Sequence, residues 1–366
     1  MATLNTVFWA IVVLGVLIFV HELGHFLVAR WAGVRVLVFS LGFGPRLFSW
    51  RPGGANATEY QLALVPLGGY VKMLGESGDE DEPELTERER PFSFGAKPVG
   101  HRFAIVAAGP LFNVLFALMA VIPIYLMGVN ELLPVIGKVQ PGMPAESAGL
   151  QIGDRILKID GVGVERWDQF SRTVQGSGGR RLVLTVERGA GEALEISVQP
   201  QVQQIPNLFG EPVVTALIGV SPDGSSVVVR YGVLDSVMKG AEKTWWMVDL
   251  TLTSIWKLVT GVVPANQIGG PVMIAELAGK SAAMGLSNLL FFMALISINL
   301  AILNLLPVPV LDGGHLLFLA VEKLKGAPLG ETAQQWAGRF GMAFLGGLML
   351  FALYNDLARL FTGSTE

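Results

Sequence analysis

The 366-residue sequence contains no cysteine. Disulfides, thiolate metal sites and cysteine nucleophiles are thereby excluded, and any bound metal must be held by His, Asp, Glu or backbone oxygen. Histidine is scarce too: His21, His25, His101 and His315 are the four in the chain. Charge is thin, with 15% charged residues against 51% hydrophobic ones and a mean hydropathy of +0.53, outside the balance of soluble globular domains. A polytopic membrane protein, with the lipid bilayer as its partner, is the first expectation. The formal net charge of −4 lacks the basic excess that tracks phosphate backbones, so no nucleic acid is expected as a partner.

What the chain does have is long apolar runs. Four reach the roughly 20 residues that a spanning helix needs; they fall in 1–30, 103–128, 286–306 and 340–362. The first differs from a cleavable leader because no Lys or Arg precedes it, the apolar run is too long, and Arg30 follows directly. Basic residues sit at the ends that orient the spans: Arg30, Arg35 and Arg46 after the first, Lys97 and Arg102 before the second, Lys323, Lys325 and Arg339 between the third and fourth. This distribution places both termini outside, the loop 31–102 and the loop 307–339 in the cytoplasm, and 129–285 on the outer face. A fifth candidate, TWWMVDLTLTSIWKLVTGVV from Thr244, carries Asp249 and Lys257 and holds three of the eight tryptophans. Trp245, Val248, Leu252, Ile255 and Val259 recur at helical spacing, so it reads as an amphipathic helix in the interface or packed on the core, not as a span.

Within 129–200, short β-rich runs alternate with Gly, Pro and Asp turn signals, and PAESAGL lies between the first two. Through AGLQIGDRILKIDG the stretch resembles a PDZ domain of the bacterial type. Such domains add an extended peptide to an open strand edge, so the expected groove lies along Leu133, Val135, Ile136 and Gly137, beside a helix near 167–174. A PDZ fold acting as plug or spacer is the alternative. The segment 201–285 reads as linker plus the amphipathic helix. In the cytoplasmic loop, LGFGPRLFSW and TEYQLALVPLGGYVKMLGE alternate in the β manner, and the acidic run ESGDEDEPELTERER reads as a solvated surface.

HELGH at 21–25 matches H-E-x-x-H. On a helix, His21 and His25 project from one face one turn apart and can reach a single zinc ion. Glu22 is displaced around the helix, free to serve as a base toward water. A charge at the centre of a membrane helix costs about 2.5–3.5 kcal/mol on insertion scales and usually marks function. Two histidines satisfied by neighbouring helices with Glu22 as their partner would be the structural alternative. A catalytic zinc needs a third protein ligand and an open fourth position. NLAILNLLPVPVLDGGH offers one: Pro307 and Pro309 end the third span, and Gly313 and Gly314 permit close backbone approach. Asp312 is well placed there, and His315 is its rival. With four spans, the first and third both run outside to inside and deliver HELGH and Asp312 to the same half of the membrane.

These motifs, with GPLFN in the second span, SAGLQIGD, GGPVMIA and NLLPVPVLDGG, resemble the site-2 protease family of intramembrane zinc metalloproteases over nearly the whole chain. The resemblance implies that His21, His25 and Asp312 ligate zinc, that Glu22 is the general base, and that Asn304 contacts substrate or polarises its carbonyl. It implies that GFGP through GGYVKM, including Gly68, Gly69 and Tyr70, forms a membrane-associated sheet that clamps unwound substrate. The expected architecture is a polytopic α-helical membrane protein with four transmembrane helices, this β region and one extracytoplasmic PDZ domain, in a bacterial inner membrane with both termini periplasmic. The expected function is regulated intramembrane proteolysis of single-span proteins such as anti-sigma factors or signal-peptide remnants. The departure is in number: well-known relatives carry two PDZ domains, and one is evident here. A PDZ-bearing receptor with a structural metal, and an anchored peptidase cutting soluble peptides, are the rivals.

Overall fold

The computed structural model describes residues 2–54, 57–76, 85–189 and 191–362. The acidic run expected to be solvated falls mainly on 77–84, outside the described residues. In chain order, helix α1 (Ala2–Trp31) leads into strands β1 (Val36–Trp50) and β2 (Glu59–Met73) and helix α2 (Val99–Met127). Then come β3 (Val129–Leu132), β4 (Ile136–Val139), the short α3 (Pro144–Ser147), β5 (Arg155–Ile159), β6 (Val162–Gly163) and α4 (Trp167–Gln175). Six strands follow: β7 (Leu182–Arg188), β8 (Glu192–Val198), β9 (Gln201–Pro206), β10 (Pro212–Leu217), β11 (Val220–Pro222) and β12 (Ser226–Val229). The chain closes with α5 (Val233–Val259), α6 (Pro271–Ala283), α7 (Leu286–Leu305), α8 (Asp312–Lys325) and α9 (Glu331–Thr362). Two units result: Met1–Ile124 with Val237–Trp256 and Pro264–Glu366, and Tyr125–Ser236 with Lys257–Val263.

In the first unit, four helices among the described residues are long and apolar enough to cross a membrane: Leu4–Trp31, Val99–Met127, Leu286–Leu305 and Thr332–Phe361. The stretch from Thr244 lies within α5 as far as Val259, and α5 is not one of the four. The fourth helix starts at Glu331, ahead of the expected 340, because Pro328 and Gly330 set its beginning before its apolar stretch does. Large apolar side chains stand outward along these helices, Phe8 at 57% and Phe340 at 72% exposed. Water would penalise such a surface, and lipid covers it without cost. The chain is an integral membrane protein.

Val13 and Leu17 of α1 are fully buried against α6 and α7, through Ala278, Leu289, Phe292 and Met293. Toward its other end α1 packs Phe26 and Ala29 on Val36, Phe39, Val71 and Ile105, joining the sheet and α2. The sheet is more folded than two long strands imply. β1 and β2 pair antiparallel, yet each is bent, so that 38–41 has partners on both edges, 69–72 on one and 59–62 on the other, while 46–50 pairs with 60–63. The edges left with one partner are therefore 69–73 and 46–50. Asp356 of α9 caps α6: its carboxylate accepts the amides of Gly270 (2.9 Å), Val272 (2.9 Å) and Met273 (3.3 Å), which accounts for the GGPVMIA motif as a helix start.

The second unit holds a four-stranded sheet in the order β6-β5-β7-β8 and three strand pairs, β3 with β12, β4 with β11, and β9 with β10. Leu182, Leu184 and Val186 alternate inward along β7 onto Ile136, Ile156 and Phe170. In GLQIGD, Asp154 is 1% exposed and is held by Arg188 through two 2.7 Å bonds, a fork that pairs the buried charge. Tyr231 donates its hydroxyl to Glu131, and burial together with that carboxylate pushes the phenol up to about 12. The expected linker 201–285 is thus corrected in its first part, where 201–229 forms four strands. Each has at most six residues, too few for period-2 alternation to stand out in sequence.

The expected groove along Leu133, Val135, Ile136 and Gly137 is also corrected. On one side Leu133 and Val135 bond to Ser225 and Asp223, and on the other Pro134 and Ile136 bond to Ile156, Asp154 and Gly153, so this stretch is interior. β11 has β4 as its one strand partner among the described residues. Between 217–222 and α4 lies a cleft of about 230 Å³ lined by Met143, Trp167, Phe170, Ser171, Val174 and Gly219, among others.

Candidate metal centre

The helical period brings His21 and His25 onto one face of α1, each 8% exposed. Their rings meet edge to face with centroids 4.9 Å apart. The outer nitrogen of each is fixed by α2: Ile105 O accepts Nδ1–H of His25 at 2.9 Å, and the Asn113 carboxamide lies 3.1 Å from Nδ1 of His21. Pro110 in α2 lacks the amide that would close onto Val106, one residue from Ile105, so the carbonyl ladder is already interrupted here. Gly109 makes this packing possible. A Cβ there would lie 2.2 Å from Nε2 of His25 and 2.9 Å from Cε1 of His21.

Asp312 arrives through a rigid turn. Pro307 and Pro309 stop α7, Val310 takes φ +86°, a rare and strained conformation for a β-branched residue, and Asp312 opens α8 in its first turn. The next two residues must be glycine. A Cβ on Gly313 would sit 2.1 Å from Leu306 O, and one on Gly314 2.5 Å from Val308 O. The turn delivers the carboxylate to the imidazoles: Oδ2 is 3.1 Å from Nε2 of His21, and Oδ1 is 3.5 Å from Nε2 of His25.

The two Nε2 atoms are 3.3 Å apart. A tetrahedral zinc ion with bonds of about 2.0–2.1 Å requires ligand atoms about 3.3–3.4 Å from one another, which is the spacing found. Oδ2 of Asp312 is buried without a hydrogen-bond partner, an atom whose burial a cation would offset. His21, His25 and Asp312 form the metal-capable cluster among the described residues, with ligand atoms all within 4.8 Å of one another. His315, the rival third ligand, stands exposed on the cavity wall outside that cluster.

A cavity of about 890 Å³ opens beside these groups. Glu22, Asn304, Gly68, Gly69 and Tyr70 all line it. Asn304 Nδ2 is 3.4 Å from Nε2 of His21. Gly69 backs onto Glu22 so closely that a Cβ would meet its Cγ at 2.9 Å. Tyr70 stacks on Phe43 with centroids 6.2 Å apart and accepts a bond from Gln61. Sequence reasoning missed Gly109, Ile105 and Asn113 as neighbours of the metal-capable cluster; GPLFN was noticed as a motif, but its i, i+4 pairing of Gly109 with Asn113 carried the signal.

The model of peptidase family M50 matches residues 9–348. A relative named Protease RseP from Yersinia pestis is 37% identical, covering 96% of this chain and 98% of its own length. Regulator of sigma-E protease RseP from Escherichia coli strain K12 is 36% identical over the same shares. A Rhizobium meliloti protein named as a zinc metalloprotease is 39% identical, covering 95% of both chains. Its alignment spans 360 positions, whereas that with the Yersinia protein spans 448, so the latter includes a long stretch with no counterpart in this 366-residue chain. The cofactor of these enzymes is zinc, which the donor set fits, and the chain belongs to peptidase family M50, the site-2 proteases, as a zinc metalloendopeptidase of the membrane.

Proposed function

We propose that the cavity is the active site and that the enzyme hydrolyses peptide bonds within the transmembrane segments of single-span membrane proteins. His21, His25 and Asp312 would hold the zinc. Bound there, zinc supplies Lewis acidity toward water and toward the scissile carbonyl. Glu22 takes the proton from the attacking water and returns it to the leaving amine, a role worth about 10²–10⁴-fold in rate. Asn304 directs its amide at the substrate carbonyl. The observation that carries this reading is the shared cavity, in which Glu22 borders the three ligand atoms and the 69–73 strand edge.

A substrate helix keeps its carbonyls in internal hydrogen bonds and must be unwound before attack. The edge at Gly69 and Tyr70 has one strand partner, so an extended substrate can add to it, as peptides add to other open edges. The second unit is read as a single PDZ domain, in keeping with the shorter length shared with the Rhizobium protein, and its groove is assigned to 217–222 and α4. It faces the periplasm of a bacterial inner membrane, with both termini on that side, and excludes substrates whose outer domains have not been trimmed by a first protease. The substrates are anti-sigma factors or signal-peptide remnants.

The test is zinc content together with cleavage of a tagged single-span substrate in detergent. Glu22→Gln should keep zinc and lose at least about 10²-fold in rate, and Asp312→Ala should lose zinc. Undiminished cleavage by Glu22→Gln would remove Glu22 as the base. Full zinc occupancy in Asp312→Ala would pass the third-ligand role to His315.

A further inference from the structure

Asn113 touches the metal-capable cluster, and the reading above gives it no task. It is fully buried, and one helical turn before it on the same face of α2 is Gly109, whose missing side chain lets the helix press on both imidazoles. Its backbone carbonyl accepts the Ser297 hydroxyl at 2.8 Å, which ties this point of α2 to α7. Its amide nitrogen is placed 3.1 Å from Nδ1 of His21, and its Oδ1 is buried with no partner. Oxygen and nitrogen of a carboxamide exchange places when the amide plane turns by half a revolution.

The chemistry of a ligand imidazole decides between the two orientations. A histidine that presents a bare Nε2 to a metal carries its proton on Nδ1 and needs an acceptor there. His25 has that acceptor in Ile105 O. For His21 the atom at Nδ1 belongs to Asn113, and an amide NH₂ cannot accept. We propose that Asn113 is a positioning residue for zinc: its carboxamide turns Oδ1 toward His21, accepts Nδ1–H, and thereby fixes the tautomer and ring plane that expose Nε2. The two ligand histidines are then held in the same sense by one helix, one through a backbone carbonyl and one through a side chain. This inference rests on the reading of His21 as a zinc ligand.

The experiment measures the zinc affinity of the purified full chain by competition with a chromogenic chelator, for wild type, Asn113→Leu and Asn113→Asp. Leucine is close to asparagine in shape and offers no acceptor, so zinc should bind about 10–100-fold more weakly, the usual cost of losing such a partner. Aspartate restores an acceptor at the same place, and its affinity should return to within about threefold of wild type, a rescue that packing alone would not produce. In parallel, ¹⁵N-histidine spectra of the zinc-loaded wild type should show a protonated Nδ1 on His21, and this readout stands even where a variant fails to fold. Equal affinity of Asn113→Leu and wild type, or a bare Nδ1 on His21, would overturn the inference while leaving the zinc site in place. A wild type that binds no zinc would instead overturn the reading of the centre, and the inference with it.

Discussion

At Gly109 the effect of one methyl group is set by geometry. A Cβ would stand 2.2 Å from Nε2 of His25, far inside contact distance, and the neighbour is a ring pinned at Nδ1 by Ile105 O. The ring must rotate or α2 must withdraw, and a shift of about 1 Å in a reacting group costs on the order of 10²-fold in rate. Gly109→Ala is expected to insert in the membrane and to lose both zinc and proteolysis; wild-type zinc stoichiometry in this variant would refute the close approach. Residues of this kind show why the site was only partly legible. His21, Glu22 and His25 are related by helical spacing alone, so their mutual geometry follows from a local pattern, and Asp312 follows once four spans fix which ends meet. Gly109, Ile105 and Asn113 become neighbours of the imidazoles through the packing of α2 on α1, where Gly24 comes within 2.5 Å of Ala108 O when given a Cβ. The i, i+4 pair Gly109 and Asn113 marks one face of α2, but which helix that face meets is decided by the packing and not by the pattern.

Elements hold the same centre from farther away. α8 carries Asp312 in its first turn and Glu322 near its end, and Glu322 is paired with Arg102 at the start of α2 through bonds of 3.0 and 2.5 Å. The two side chains are 15% and 16% exposed, buried enough that leaving one unpaired costs about 2–3 kcal/mol once partial solvation is allowed for. This bridge joins the helix that carries Asp312 to the helix packed on the two histidines. Arg102→Met is expected to lower thermal stability by roughly that amount and to weaken zinc binding, and the exchange Arg102→Glu with Glu322→Arg to recover much of both. An exchanged pair no better than Arg102→Met, measured by melting temperature and chelator competition, would show that the charges do not act as a pair. The elements also mark the limit of reading strands from sequence. The long apolar helices stand out by length, whereas β11 joins β4 across about 80 positions of sequence, and the pairing of 38–41 with both 59–62 and 69–72 depends on bends. A reading that looks for the nearest β run therefore took the interior strand for the open edge.

For the molecule as a whole, the deciding question is the side of the membrane on which each segment lies. Basic residues cluster after α1, before α2, in the last turn of α8 and early in α9, which by the bias of basic residues toward the cytoplasm gives the proposed orientation. The number of crossings carries the chemistry, because a crossing by α5 would deliver Asp312 to the face opposite HELGH. α5 holds Asp249 and Lys257 and is absent from the helices apolar enough to span. The lack of native cysteine makes the arrangement directly measurable, since any thiol introduced is the sole one. Arg88, Ser197 and Lys325 are exposed and sample the first loop, the β-rich unit and the end of α8. In spheroplasts a membrane-impermeant maleimide is expected to label Ser197→Cys at once, and Arg88→Cys and Lys325→Cys only after permeabilisation. Labelling of Lys325→Cys from outside with Arg88→Cys protected would mean that α5 crosses, and the reading of Asp312 as a partner of His21 and His25 would have to be abandoned. Protection of both, with retained proteolysis of a single-span substrate, would tie the depth of the proposed zinc ligands to the proposed four-span topology.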